Sequence, residues 1–185
     1  MSDTLYKWLL NEPDGTLVSP VRKTPWRYAL GEWTPVVEHP VLCEAGWHGT
    51  REKDVLAYLP QNGSSSLYVV EAIGVKDGED KFTSRSMRLV SIVGEATDRN
   101  LRLFACDVAE DVLAAFKTFR PNDTRVRDCI EVARRYARGA TAESAALSAA
   151  EYAAWSAAQS AAESARSAAE SKYSLMLIVR LGDAS

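Results

Sequence analysis

The 185 residues carry 22 Lys/Arg against 25 Asp/Glu, a net charge of −3, and neither end of the chain is basic enough for charge alone to point to nucleic acid. Three cysteines, Cys43, Cys106 and Cys129, lie far apart with no CxxC pair, which argues against a zinc site and a disulfide framework and fits thiols in a reducing compartment. The opening MSDTLYKW lacks a basic-then-apolar leader, and the longest apolar run, Leu175 to Val179, is far too short to cross a bilayer, so a soluble cytoplasmic protein is expected.

Taken in order, Leu5 to Leu10 alternates as a strand does, and Glu12-Pro13-Asp14-Gly15 supplies type I turn residues, so a first strand and hairpin are expected. Four prolines between Val18 and Pro40 preclude a helix around Trp26 and Trp33. The expectation there is irregular extended chain whose aromatics cap a core, with a short strand near Thr34 to Glu38. Val41 to Gly49 reads as an apolar strand. Thr50 then stands as the N-cap of a short helix that Pro60 stops. Leu67 to Val75 and Lys81 to Val93 read as two strands around a turn at Lys76 to Asp80, with Arg85 and Arg88 on opposite faces of the second.

Leu101 to Cys106 suggests an edge strand, and Asp107 with Glu110 has capping-box spacing ahead of a helix ending near Lys117. Pro121-Asn122-Asp123-Thr124 breaks the chain. From Arg125 to Arg138, Val126, Cys129, Ile130, Ala133 and Ala137 share one helical face, and Glu131 is placed to pair with Arg135. Its five arginines read as a solvated face. Thr141 to Lys172 follows, with 14 Ala and seven Ser in its 32 residues, in tetrads such as ESAA, LSAA, WSAA and QSAA. Ala loses no side-chain entropy in a helix, so a rod of roughly 45 Å or more is expected. Each tetrad turns the Ala pair by about 40°, so no fixed coiled-coil seam forms. Small side chains allow close approach of a second helix, which makes Ala153, Trp155, Ala157 and Ala161 the candidate partner-binding residues, in self-association or with another protein. The segment 175–181 is read as helix continuing the rod, with a strand as the alternative.

Two stretches carry resemblances to known families. Trp47-His48-Gly49-Thr50 resembles the NAD-gripping His-Gly-Thr motif of ADP-ribosyltransferases. That resemblance implies a cleft with Lys7, His48, Arg85 and Glu95 as the catalytic or nucleotide-binding candidates. The block from Cys43 through Gly46 and Trp47 to His48, with LYVVEAIG and KFTSRSMRLV, resembles an uncharacterised domain found in phage and bacterial genomes. The C-terminal third, DTRVRDCIEVARRYARGATAESAALSAAEYAAWSAA, resembles Ala-rich segments of immunity proteins of bacterial toxin systems.

The chain shows no GxxxxGK[ST], HExxH or GxSxG and no spaced metal ligands. His48 also has a structural reading, as the residue that holds a corner. The expectation is therefore an α+β protein: a mostly antiparallel sheet with short helices over 1–120, then a helical hairpin over 121–185 containing the Ala-rich helix. No catalytic residue, cofactor or metal is assigned. The expected role is non-catalytic protein binding in toxin immunity or phage-host conflict, in the cytoplasm of a bacterial host and as a homo-oligomer, with neither nucleic acid nor membrane as partner. A divergent ADP-ribosyltransferase-like enzyme or nucleotide-binding remnant is the alternative.

Overall fold

The computed structural model describes residues 4–61, 63–119, 122, 124–139 and 166–183. The fold is α+β: an antiparallel sheet and, among the described residues, three helices. Two compact units are formed, Met1–Ala96 with Ser174–Ser185, and Thr97–Tyr173. In the first, β1 (Leu5–Asn11) is followed by β2 (Leu17–Val18) and β3 (Pro25–Trp26). After these come β4 (Trp47–Arg51), β5 (Ser65–Ile73), β6 (Lys76–Asp77), β7 (Phe82–Ser84) and β8 (Ser86–Ala96). Every pairing is antiparallel. The strands run β3-β2-β1-β4-β7-β6, with β5 joining β1 to β8.

The first hairpin forms as its residues dictate. Gly15 N–H donates to the Glu12 carbonyl at 2.9 Å, closing a turn in which Gly15 takes φ +84°, a conformation glycine adopts without steric cost. Leu10 then pairs with Val18 and Asn11 with Leu17. Trp26, buried, meets Tyr28 and Trp47 edge to face at 5.5 Å, and Leu9, Phe82 and Met87 complete the cluster. Trp33 stays partly exposed beneath the Arg88 guanidinium, 4.9 Å from its ring.

Several expectations are corrected. The short strand after Trp26 is not at 34–38; the chain there is irregular, though Thr34 and Val37 donate backbone hydrogen bonds to Met87 and Arg85 at 2.9 and 2.8 Å. Val41 to Ala45 is a closed turn with Cys43 at φ +66°, so the strand begins only at Trp47. Thr50 is a buried strand residue opposite Tyr6, and the helix expected after it is two 3-10 turns, Glu52–Asp54 and Leu56–Tyr58, without a side-chain cap. The strand expected over 81–93 is divided at Arg85, where the chain passes from β7 to β8.

The second unit holds α1 (Asp98–Phe119) and α2 (Arg125–Ala137). The segment 101–106 is helix and not strand, and Asp107 and Glu110 lie inside α1. The cap is Thr97, whose hydroxyl oxygen accepts the Asn100 N–H at 3.2 Å. Asp107 and Glu110 instead accept hydrogen bonds from Arg134 of α2. Cys106, Ala109 and Leu113 meet Val126, Ile130 and Ala133, each set at helical spacing. The helices are antiparallel, since Arg102 lies under Tyr136 while Asp107 meets Arg134.

The third helix, α3 (Arg166–Gly182), confirms helix over 175–181. Its Ser174 hydroxyl donates to the Lys53 carbonyl and accepts the Leu56 N–H, both at 3.0 Å. Leu177 and Leu181 are fully buried, and a Cβ on Gly94 of β8 would strike the Leu181 carbonyl. The Ala-rich stretch through residue 165, with Ala153, Trp155, Ala157 and Ala161, lies outside the described residues, as does the hairpin expected between it and α2.

Candidate functional site

β1 is paired unequally on its two sides. Along one edge β5 matches it continuously from Leu5↔Val70 to Leu10↔Ser65. Along the other, β4 matches only Leu5 and Tyr6, and β2 only Leu10 and Asn11. No strand residue pairs with Lys7, Trp8 or Leu9 on that edge. The alternation of an antiparallel strand decides which backbone groups face the gap. Asn11 N–H bonds the Ser64 carbonyl on the β5 side and Glu12 N–H bonds Thr16 on the β2 side, so the N–H and C=O of Trp8 point into the opening.

A cavity of about 210 Å³ fills that opening. Lys7 and His48 form its floor, the turn after β2 (Pro20, Val21, Arg22) one rim, and Tyr58 and Lys81 part of the wall. Gly49 lets β4 stand close, since a Cβ there would lie 2.6 Å from the Phe82 ring and 2.7 Å from the Tyr6 carbonyl. Lys7 is buried, donates to the His48 carbonyl at 2.8 Å and lies 5.5 Å from the Trp26 ring. That hydrogen bond takes the place of the strand partner the His48 carbonyl loses where β4 leaves β1. Burial brings the Lys7 pKa down to about 8.

His48 is held as an acceptor. Its Nε2 receives the Cys43 N–H at 3.0 Å, which fixes the left-handed Cys43 in its turn. Burial, and then the charges of Lys7, Arg22 and Lys81, push the imidazole pKa down and keep it neutral at pH 7. Arg22 donates to the Cys43 carbonyl at 2.6 Å. Lys81 sits 5.6 Å from the Tyr58 ring, and its pKa is raised first by a hydrogen bond to the Cys43 thiol. The Tyr58 hydroxyl donates to Asp80 at 2.6 Å, and burial together with that carboxylate pushes its pKa up to about 12.

The fold thus brings Lys7 and His48 together, as the transferase-like reading expects, but not Arg85 or Glu95. Arg85 pairs with Glu38 between β7 and β8, and Glu95 sits opposite Ser66 on β8; neither lines the cavity. Thr50 does line it, with its hydroxyl 3.3 Å from the Arg51 carbonyl and 3.4 Å from that of Asp80. Arg22, Tyr58 and Lys81 escape a reading by motif because they reach the cavity from three separate turns. The one local signal is that each sits in or beside a Pro- or Gly-punctuated loop. Among the described residues no three His, Cys, Asp or Glu side chains gather as metal ligands, and no helix is long and apolar enough to cross a membrane.

Comparison with known proteins locates similarity elsewhere in the chain. A family model described as Imm-5 like putative immunity protein matches residues 91–173, less than half the chain, taking in the end of β8, α1, α2 and the start of α3. In that span the chain is similar to immunity proteins of this family. No curated protein and no solved structure matches.

Proposed function

We propose that this protein is a non-catalytic toxin-immunity protein, which binds a toxin and blocks its action in the cytoplasm of a bacterial host. The family match over residues 91–173 carries this reading. The matched span contains the α1–α2 pair and the Ala-rich stretch, which supports placing the partner contact there, with Ala153, Trp155, Ala157 and Ala161 as contact residues in toxin binding or self-association. The same similarity is compatible with an accessory role of phage or bacterial origin in toxin immunity or phage-host conflict. The transferase alternative has the meeting of Lys7 and His48 in its favour. It lacks a cavity carboxylate to stabilise the cation that develops on a ribose when nicotinamide leaves.

Co-expression with candidate toxin domains of bacterial toxin systems tests the reading. Restored growth of a strain that the toxin alone arrests, with the two proteins co-eluting as one complex, is the expected result. Ala153, Ala157 and Ala161 changed together to Leu should weaken both. Arrest that continues at full expression, with no complex formed, refutes the immunity role.

A further inference from the structure

We propose that the cavity beside β1 binds a small organic anion, with a phosphate or carboxylate head set among Lys7, Arg22 and Lys81 and an apolar or flat body against Tyr6, Tyr58 and Val21. The inference is independent of the toxin reading.

The first observation is a contrast in how cations are neutralised. Elsewhere in the molecule four partly buried or paired arginines meet carboxylates: Arg51 with Asp77, Arg85 with Glu38, Arg88 with Glu71, Arg134 with Asp107. Around the cavity they do not. Lys7 is held by a carbonyl and an indole face, Arg22 by a carbonyl, and Lys81 by a thiol and a phenol ring. The wall itself contains no Asp or Glu, and the nearby Asp80 carboxylate accepts the Tyr58 hydroxyl. Three cations facing a concave, carboxylate-free space make a positive potential that a low-dielectric wall sharpens.

The second observation is Lys7 itself, only 8 % exposed and pointed from the middle strand of the sheet. Burying an ammonium without a counter-ion is costly, and an apolar residue of similar length would fill the same space more cheaply. A bound anion supplies the missing counter-charge. The third is the Trp8 peptide, whose N–H and C=O face the cavity without a strand partner and offer a neighbouring donor and acceptor to a planar polar edge. The space is large enough for such a ligand, far above the roughly 10–15 Å³ that houses one water.

An anion close to Lys7 favours its charged form. Binding should therefore take up protons and weaken as pH rises through about 8, with Tyr6, Tyr58, Cys43, His48, Arg22 and Lys81 as the other titratable or charged groups on the wall.

Calorimetric titration of the full chain at low salt with adenosine 5′-monophosphate, inorganic pyrophosphate and citrate tests the proposal. At least one probe should bind one to one, and the choice between the phosphates and citrate identifies the head. Lys7→Met should weaken binding by about tenfold or more, the scale of one charge-assisted contact, without lowering the melting temperature. Arg22→Ala with Lys81→Ala, both at the cavity edge, should weaken it similarly, and this pair decides the matter if Lys7→Met fails to fold. No heat and no thermal shift with any of the three probes, or binding that survives both sets of substitutions, overturns it.

Discussion

The two compact units bury different things. The sheet unit packs Leu9, Trp26, Tyr68, Phe82, Met87 and Leu89 into one cluster, deep enough to hold a lysine inside it and a cavity beside it. Among the described residues the α1–α2 pair packs Cys106, Ala109, Leu113, Ile130 and Ala133, a seam of mostly small side chains, reinforced by Arg134 bridging two carboxylates. Depth of core is what permits an ionisable group and an open site. The family similarity falls mainly on the helical unit and the cavity on the sheet unit, so similarity and chemistry have to be tested separately.

Phe82→Ala should produce the largest effect, about 3–5 kcal/mol of destabilisation, because a fully buried ring that also fills the space over Gly49 leaves a void the sheet cannot close. Ile130→Ala should cost about 2–4 kcal/mol, and less than Phe82→Ala, since fewer atoms are lost from a thinner seam. Urea denaturation, followed by tryptophan fluorescence, which four of the five tryptophans report from the first unit, and by helical circular dichroism, to which α1 and α2 of the second contribute, measures both. An Ile130→Ala cost exceeding that of Phe82→Ala would reverse the comparison of depth.

The sequence shows most of the sheet and little of the site, and the difference is one of range. The β1–β2 hairpin, β5 and α2 are local objects: a type I turn with glycine at its end, an alternating apolar run, a helical stripe. Helix over 175–181 is legible for the same reason. The 101–106 segment misleads because its apolar residues in isolation fit either period; only joined to Thr97 as cap and to the residues through Phe119 do they read as one helix. Thr50 misleads because a hydroxyl before a charged turn has the look of a cap, while strand pairing with Tyr6 takes its backbone first. The cavity depends on β4 leaving β1 after two matched positions and on three turns converging, and such contacts leave no periodic mark. Lys7 and His48 enter as candidates only through the resemblance of their stretches to ADP-ribosyltransferase motifs, not through a local pattern of their own.

Lys7→Met should stabilise the sheet unit by on the order of 1 kcal/mol near pH 7. A pKa brought from 10.5 to about 8 is a net penalty of about 3 kcal/mol on the ammonium, its contacts included, and leaving the His48 carbonyl without its donor in the variant offsets about 2 of that. The sign with pH follows. Between about 8 and 10.5 the unfolded chain holds a proton that the folded chain has released, so wild-type stability rises with pH across that window as the penalty is relieved. Lys7→Met should flatten the rise. A melting temperature that falls through the same window in the wild type, or a destabilised Lys7→Met, contradicts the buried-charge account.

The smallest effect expected is at Arg134, and it tests whether the α1–α2 pair relies on its ion pairs. The side chain is 23 % exposed and donates to Asp107 at 2.9 Å and to Glu110 at 2.5 Å. Burial disfavours its charge, but hydrogen bonds to Glu110 and Asp107 outweigh this and hold its pKa above the ordinary arginine value. Glu110 lies mostly in solvent and Asp107 does not, so the bond to Asp107 should dominate. Arg134→Ala should therefore cost about 1 kcal/mol, because it leaves two neighbouring carboxylates on α1 without their shared donor. Arg134→Lys should recover only part, since an ammonium cannot present two fixed donors to two acceptors at once. Glu110→Gln should be nearly silent and Asp107→Asn should account for most of the loss. Raising the salt concentration should narrow the gap between wild type and Arg134→Ala, and a gap that does not respond to salt would assign the loss to the packing of the arginine stem against α1 and not to charge.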